Sequence, residues 1–215
     1  MAGMPYSRFL YLWPPRPQTT IDAASKHFQA MKARKTWTGQ LKLNGQRSPV
    51  YISPEGEVEL WNRHGGQHRN YNIQPWLVEQ IKGSVRQSGK WIVIDGELLH
   101  AKDRSIKNTL YWWDVLVFDG EYLIGSTYED RCKMLREIVK PNESDGAIAK
   151  VTDNIWLAEN FGPEQYDEMW TRTETSWVEG FVFKNLKGRL KPCIREKNNH
   201  EWQLRCRKRH GAYRF

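Results

Sequence analysis

Two long apolar segments constrain the fold of this chain more than any other feature of its sequence. Residues Trp91–Leu99 and Tyr111–Phe118 are rich in β-branched and aromatic side chains, which favour strands. Asp119-Gly120 follows the second segment and precedes Tyr122–Ile124, and this dipeptide is typical of a tight hairpin turn. An antiparallel sheet is therefore the expected framework of the fold.

The other segments predict short strands and four helices around that sheet. We expect strands at Leu41–Asn44, Pro49–Ser53, Glu57–Asn62, Ile148–Leu157, Val178–Phe183, Leu190–Arg195 and Glu201–Arg207. Apolar residues at helical spacing predict helices at Thr20–Arg34 (Ile21, Ala24, Phe28 and Met31 on one stripe), Ile73–Gln87 (Trp76, Leu77, Ile81 and Val85 inward), Thr127–Val139 and Pro163–Arg172. Residues 1–19 contain closely spaced prolines and are expected to run extended.

No internal repeat or low-complexity linker divides the chain. The prediction is therefore a single domain over residues 1–215, of class α+β, with antiparallel β-sheets flanked by helices.

The charge of the chain indicates a polyanionic partner. Its 33 Lys and Arg residues exceed its 25 Asp and Glu residues, which gives a formal net charge of +8. The excess is concentrated in residues 184–215, a pattern that favours contact with phosphates over an evenly solvated surface. The 11 Trp residues could fill a core or form a stacking surface for bases.

The cysteines and the hydropathy of the sequence indicate the cellular compartment in which the protein resides. Cys132, Cys193 and Cys206 are odd in number and lack Cys-x-x-Cys spacing, which argues against a disulfide framework and a structural zinc site. No apolar run has the length of a membrane span, and the first residues do not have a signal-peptide pattern. The expectation is a cytoplasmic, intracellular protein without membrane contact, encoded by a cell or by a virus, and monomeric.

A lysine at a predicted strand end carries the sharpest chemical indication. Lys42-Leu43-Asn44-Gly45-Gln46-Arg47 places an amine before a glycine turn and an arginine. Lysine becomes a nucleophile when burial or neighbouring cations favour loss of its proton. A glycine lets the backbone pass close to a ligand. Taken alone, this pattern is equally what an ordinary strand-end lysine would give.

Two acidic residues beside apolar strands strengthen the indication. Glu97 follows Ile92–Gly96, and Glu179 begins a segment that ends in Lys184. On a regular strand Glu179 and Phe181 share one face while Lys184 lies on the other. Each acid alone could be a surface carboxylate. Together with several cations around one cleft, they would suit a magnesium-bound triphosphate.

The ordered set of these motifs resembles the covalent nucleotidyltransferase superfamily of ATP-dependent DNA ligases, RNA ligases and mRNA capping enzymes. The matching segments, in order, are Lys42 to Arg47, Asn62 to Gly65, Asp95 to Glu97, Trp113-Asp114, Glu179 to Lys184 and Trp202 to Arg207. Asn44 replaces the usual aspartate of the nucleophile motif. The last segment has arginines in place of lysines and one extra residue.

The resemblance implies a ligase-type adenylation fold and a lysyl-AMP mechanism that uses ATP and Mg²⁺ or Mn²⁺. In it Lys42 attacks the α-phosphorus, with Lys184 and Arg205 as the other catalytic residues. The implied nucleotide-binding residues are Gln40, Leu41, Lys42, Arg47, Arg63, Glu97, Trp113, Lys184, Arg205 and Arg207. The implied metal ligands are Glu97 and Glu179, and the implied nucleic-acid contacts are Arg47, Arg63, Arg207 and Lys208.

The resemblance also leaves alternatives open. Nicked duplex DNA is the first expectation for the substrate, with an RNA or hybrid ligase close behind. A capping guanylyltransferase is less expected, because that branch usually has an aspartate where Glu179 stands. No room for the family's usual OB-fold domain follows Arg207, so we expect the termini or an accessory protein to replace it. A binding module without catalysis would share the charge and the tryptophans.

Overall fold

The computed structural model describes residues 4–5, 11–23, 25–102, 105–196 and 198–208. Its strands are β1 (Met4–Pro5), β2 (Arg16–Asp22), β3 (Trp37–Leu43), β4 (Gln46–Arg47), β5 (Val50–Ile52), β6 (Val58–Leu60), β7 (Ile92–Leu99), β8 (Thr109–Phe118), β9 (Glu121–Tyr122), β10 (Glu143–Ser144), β11 (Ile148–Lys150), β12 (Ile155–Ala158), β13 (Val178–Asn185) and β14 (Asn199–Arg207). Its α-helices are α1 (Lys26–Met31), α2 (Pro75–Ser84), α3 (Tyr128–Val139) and α4 (Tyr166–Thr171).

Within these residues the strands form two sheets. The larger sheet has the order β10-β11-β12-β8-β7-β5-β6, with β4 paired to β7 and with β9 joining β8 to β1. The smaller sheet has the order β2-β14-β13-β3. The β12–β8 and β14–β2 pairs are parallel, and the other pairs are antiparallel. The predicted α+β class with antiparallel-dominated sheets is confirmed.

The core lies in layers on and between the sheets. On the larger sheet, Leu77 of α2 and Leu135 of α3 pack with Ile94 of β7. Between the sheets, Tyr111 of β8 packs with Phe181 of β13 and with the buried side chains of α1 and α4. Each fully buried aliphatic or aromatic side chain contributes about 1.5–3 kcal/mol. The two sheets are thus held as the walls of one cleft.

Helix α3 begins and ends where its sequence specifies. The Thr127 side chain accepts from the backbone N–H of Asp130, whose carboxylate accepts in return from the Thr127 backbone, a capping box that fixes the start. At the other end Lys140 adopts φ 46°, and Pro141 cannot continue the helix. This placement brings Tyr128 and Arg131 of the first turns against β8.

The predicted helix at Thr20–Arg34 is wrong in its first part. Thr20–Asp22 belong to β2 and pair in parallel with Arg205–Arg207, and the helix is restricted to α1. Thr19, Thr20 and Ile21 are β-branched and suit a strand better than a helix. Phe28 and Met31 of the predicted stripe are buried, and Ala24 lies outside the described residues.

Two further predictions fail in detail. Trp76 was expected to face inward but is 44% exposed, since it lies in the first turn of α2 beyond the apolar stripe formed by Leu77 and Ile81. Leu190–Arg195 form no strand, because Pro192 lacks a backbone donor and the segment bonds instead to loops. The predicted Ile148–Leu157 strand is two strands, β11 and β12, joined by a turn.

Candidate active site

A cavity of about 580 Å³ opens between the two sheets, within the range of ligand pockets. Its walls come from β3, β13 and β14 on one side and from β7, β8 and the turn after β3 on the other. Residues that precede β2 close one end. The cavity brings together eleven of the predicted site residues: Gln40, Leu41, Lys42, Arg47, Arg63, Glu97, Trp113, Glu179, Lys184, Arg205 and Arg207.

Lys42 lies at the end of β3 and directs its amine into this cavity. Its Nζ donates to Glu179 Oε2 at 2.5 Å, and the two side chains are 16% and 8% exposed. The turn that follows packs tightly on β7, because a Cβ at Gly45 would lie 2.7 Å from the Leu98 carbonyl oxygen. Gly45 N–H donates to Glu97 Oε1 at 3.1 Å. The glycine therefore holds the nucleophile turn against the Glu97 strand.

Glu97 and Glu179 both line the cavity, and the charge of Lys42 acts on each of them. Burial raises the pKa of Glu97, although the nearby charges of Lys42 and Lys102 oppose that rise. Burial also acts to raise the pKa of Glu179, but the attraction and hydrogen bond of Lys42 outweigh it and the pKa is lowered. The cavity thus contains one carboxylate locked to an amine and one whose charge is incompletely compensated.

A bulge in β13 explains why Glu179 reaches the cavity, and it corrects the predicted alternation. The pairing of β13 with β3 shifts register between Val178 and Gly180, and Gly180 has φ 138°. A Cβ at that position would lie 2.1 Å from the Cys206 carbonyl oxygen, so only glycine fits. Glu179 and Lys184 consequently line the same cavity instead of lying on opposite faces.

Arg47 was predicted to contact a phosphate, and here it is held by an acid. Its Nε donates to Asp95 Oδ1 at 2.7 Å, a second nitrogen bonds to the same carboxylate, and a third bond reaches the Pro15 carbonyl at 3.0 Å. Trp113 packs against the guanidinium at 4.9 Å and donates its indole N–H to Asp95 at 2.9 Å. Asp95 therefore orients both side chains towards the cavity, a role that its motif did not reveal.

Lys184 is the most deeply buried cation of the cavity, at 2% exposure. Its Nζ donates to the Tyr128 hydroxyl at 3.2 Å and lies 4.5 Å from the centre of that ring and 5.6 Å from that of Trp113. Burial lowers the pKa of this amine to about 8, against the attraction of Asp114. The cavity is therefore lined by an amine that loses its proton more readily than an ordinary lysine does.

Gln40 supplies an unpaired polar group. The residue is 3% exposed and lines the cavity beside Leu41, and its Nε2 has no hydrogen-bond partner within the described ranges. A buried donor without a partner costs about 1–3 kcal/mol, which an acceptor on a bound molecule would recover. This observation favours a polar ligand in the cavity.

The other predicted site residues are three arginines, which line the cavity, and one lysine, which lies outside it. Arg205 and Arg207 of β14 line it, and Arg207 Nε lies 3.3 Å from Glu179 Oε2. Arg63 lies at its exposed edge and donates to His64 at 2.9 Å. Lys208 lies elsewhere, with its Nζ bonded to the carbonyl oxygens of Thr173 and Thr175. These two bonds leave Lys208 one N–H donor for a nucleic-acid contact.

The acidic residues at the site bear on metal binding. Among the described residues no group of three or more His, Cys, Asp or Glu side chains is arranged to hold a metal. Magnesium commonly uses one or two carboxylates together with substrate phosphates and water, and the pair of Glu97 and Glu179 fits that donor set.

Among the described residues, no helix is long and apolar enough to cross a membrane.

Comparison with known proteins relates this geometry to a fold. A family model described as ATP dependent DNA ligase domain matches residues 99–202, which include Glu179 and Lys184. DNA ligase 1 of Saccharomyces cerevisiae is 21% identical over 87% of this chain and 26% of its own length. Mycobacterial DNA ligase D, solved with ATP and MES, superposes with a TM-score of 0.62 at 20% identity over 91% of this chain and 60% of that one.

The ligase domain of M. tuberculosis LigD gives a TM-score of 0.60 at 20% identity, over 90% of this chain and 58% of that one. The chain has the fold of ligase adenylation domains, and its residues 99–202 match the ATP-dependent DNA ligase domain model. The domain spans about a quarter of the curated relative and more than half of each solved ligase. The fold and recognition inferred from the motifs are thereby confirmed.

Proposed function

We propose that this domain transfers AMP from ATP to Lys42 and then to a 5′-phosphate, from which a 3′-hydroxyl displaces AMP to seal nicked duplex DNA. One observation carries the proposal: the Lys42 amine points into a nucleotide-sized cavity lined by Glu97, Glu179, Glu196 and several cations. A family match to ATP-dependent DNA ligase domains supports ATP as the nucleotide. We further propose that residues 1–215 form one nucleotidyltransferase domain.

The first step forms a bond between Lys42 Nζ and the α-phosphorus while the α–β bridging P–O bond breaks and pyrophosphate leaves with the electron pair. Lys42 must lose a proton before it attacks, and Glu179 Oε2, at 2.5 Å, is placed to receive it. The resulting P–N bond is stable while buried and becomes labile once its nitrogen is protonated. That property suits an intermediate that must survive until DNA binds.

Fixed cations would stabilise the charge that develops in this step. Lys184 approaches the cavity from its floor, and Arg205 and Arg207 from β14. Preorganised donors in a site with little water are worth several kcal/mol, about 3–4 for one donor in known cases. Glu97 and Glu179 would hold Mg²⁺ or Mn²⁺, which would neutralise charge on the triphosphate.

The nucleotide itself would contact residues that the cavity leaves available. The unpaired Gln40 amide and the backbone of Leu41 are proposed to bind the base, with Trp113 as its stacking partner. Arg47 and Arg63 are proposed to contact the ribose or the terminal phosphate of the nucleic acid. Arg47 would do so from its bond to Asp95, so its position is fixed before the ligand binds.

The test of this function is labelling with ATP that carries radioactive phosphorus at the α-position, in the presence of magnesium. We expect a labelled band that survives denaturation and is lost in Lys42→Ala. Lys90→Ala is the matched control, since Lys90 is a 61% exposed lysine paired with Asp119. No label with ATP, GTP or NAD would leave a non-catalytic nucleic-acid-binding module; label with GTP alone would indicate a capping enzyme.

Substrate choice is tested by sealing nicked DNA, nicked RNA, RNA–DNA hybrids and single strands side by side. We expect nicked duplex DNA to be sealed fastest. Sealing of RNA alone would replace DNA ligase by RNA ligase in the proposal.

The three cysteines Cys132, Cys193 and Cys206 are free, which supports a proposed intracellular setting.

A further inference from the structure

The segment that precedes and opens β2 forms the end wall of the cavity, and no motif of the nucleotidyltransferase pattern includes it. Trp13, Pro14, Arg16 and Pro17 all line the cavity. β2 runs parallel to β14, so that Thr20 lies beside Arg205 in the sheet. The cation Arg16 therefore enters the same space as the arginines of β14.

Backbone and side-chain bonds fix this segment on both sides of Arg16. The N–H groups of Trp13 and Arg16 donate to the carbonyls of Cys193 and Asn198, each at 2.8 Å. The Asn198 amide returns a bond to the Trp13 carbonyl at 3.0 Å. Prolines at positions 14, 15 and 17 restrict φ on either side of Arg16. The Arg16 side chain is thus presented to the cavity by a stiff backbone.

Three cations of the cavity are paired with carboxylates, whereas Arg16 has no such partner among the described residues. Lys42 and Arg207 contact Glu179, and Arg47 is bonded to Asp95. In contrast, the Arg16 guanidinium has no ion pair or hydrogen bond to any residue that the structure describes. Arginine carries five donors that match the geometry of phosphate, so an unpaired one in a cavity favours an anion.

Arg205 is a second arginine of the same cavity, and its charge interacts with that of Arg16, although Arg16 itself pairs with Asn199 in the sheet. Its Nε donates to the Thr20 hydroxyl rather than to a carboxylate, and Glu179 offsets its charge only in part. Burial, and then the like charges of Arg207 and Arg16, lower the pKa of the Arg205 guanidinium. Two guanidinium charges in one cavity repel each other, and a phosphate that binds both would offset that repulsion.

We propose that Arg16 and Arg205 form a phosphate-binding subsite, in which Arg16 of the N-terminal segment binds a phosphate group of the substrate. The inference rests on the proposed function for the identity of that substrate. Two phosphates satisfy the same chemistry: the pyrophosphate end of ATP and the terminal 5′-phosphate of a DNA nick. Arg16 contacts substrate in either case and is fixed in place before substrate binds.

The direct test is binding of inorganic tripolyphosphate, measured by calorimetry on the full chain without catalysis. We expect Arg16→Ala to weaken binding about tenfold or more, as for loss of a charge-assisted hydrogen bond. Arg16→Lys should recover part of the affinity, because it keeps the charge but loses the planar donor geometry. Arg195→Ala is the control: it removes the same charge from an exposed residue that does not line the cavity.

A second arm identifies the source of the phosphate. Affinity for nicked DNA is measured with a 5′-phosphate and with a 5′-hydroxyl for wild type and Arg16→Ala. Weakening of tripolyphosphate binding alone assigns the subsite to ATP. Loss of the preference for the 5′-phosphate assigns it to DNA. Unchanged affinity for both probes in Arg16→Ala overturns the subsite. These readings do not require Lys42 to react, so failure of labelling would not be confused with failure of the subsite.

Discussion

Two buried ion pairs of this domain, Arg131–Asp114 and Lys42–Glu179, differ in their surroundings. The difference distinguishes a pair that stabilises the fold from a pair that can take part in a reaction. Arg131 bonds Asp114 through two nitrogens, at 2.8 and 3.0 Å, and donates a third bond to the Ser126 carbonyl at 2.8 Å. The rings of Tyr128 and Trp202 cover it at 5.7 and 5.4 Å, and it is fully buried.

The pair of Lys42 and Glu179 is open by comparison. It has one short bond, and Glu179 divides its charge between Lys42 and Arg207. Both partners line the cavity, so either can exchange its partner for a ligand. A sealed and fully bonded pair fixes geometry, whereas a pair at a cavity wall can take part in a reaction. Substitutions in each pair, and in the elements that hold it, should separate these two roles.

Breaking the sealed pair should cost the most stability. Asp114→Ala leaves the Arg131 charge buried without its partner, and we expect the free energy of unfolding to fall by about 3–5 kcal/mol. Denaturant titration measures this loss. The control is Asp119→Ala, which removes a pair with Lys90 that is 50% and 61% exposed and should change stability by about 1 kcal/mol or less. Equal losses in both variants would contradict a special role for the sealed pair.

Removing the bulge should affect both stability and the open pair. In Gly180→Ala the new methyl group would collide with the Cys206 carbonyl at a φ that disfavours side chains, so we expect a loss of about 3 kcal/mol. Displacement of Glu179 should also abolish labelling of the folded fraction. Gly83→Ala, where nothing lies within 4 Å in α2, should instead leave stability unchanged or raised. Full labelling in Gly180→Ala would show that the bulge is not needed.

Lys184 should make the stability depend on pH in a particular direction. Its pKa falls from 10.5 to about 8 in the folded state, so the unfolded chain binds the extra proton between those values. The free energy of unfolding should therefore rise with pH from about 8 to 10.5, by on the order of 2–3 kcal/mol. Denaturation of wild type and Lys184→Met across that range isolates the contribution. A difference between the two that stays constant with pH would refute the shift.

Neutralising the open pair should cost little stability and much activity. Glu179→Gln keeps the shape of the side chain, and we expect less destabilisation than in Asp114→Ala, because Lys42 stays accessible through the cavity, together with loss of magnesium-dependent labelling. Because the folded pKa of Glu179 is lowered, its stabilising contribution is present above the unfolded value of 4.5 and is lost as pH falls through the folded value. The gap between wild type and Glu179→Gln should therefore shrink below pH 4.5. A gap that widens there would reverse the assigned sign.

The sequence could identify the chemistry of this cavity better than its geometry. Lys42, Glu97 and Lys184 are recognisable because a nucleophile and its counter-charges need particular residue types beside strands. The prediction that Glu179 and Lys184 lie on opposite faces of β13 was wrong, because it assumed a regular strand. The bulge before Gly180 arises from the close approach of β14, which lies far away in the sequence. Local pattern contains no information on that contact.

Long-range pairing explains the other failures. Thr20–Asp22 form a strand because they pair with residues 205–207, about 185 positions later, and the helical stripe could not predict that partner. The sequence did not predict Arg16 as a site residue for the same reason, because its position in the cavity depends on the pairing of β2 with β14. The Trp13-Pro14-Pro15-Arg16-Pro17 run indicated an extended segment but gave no sign that it would close a cavity.

Several lysines contribute to the cavity, so the central claim is tested by locating the AMP on the chain. Lys184 is a second candidate nucleophile, since burial lowers its pKa to about 8, but its amine is enclosed by the Tyr128 and Trp113 rings. Peptide mapping by mass spectrometry after incubation with ATP and magnesium should find the phosphoramidate on Lys42. Modification of Lys184 or Lys102 in place of Lys42 would contradict the account.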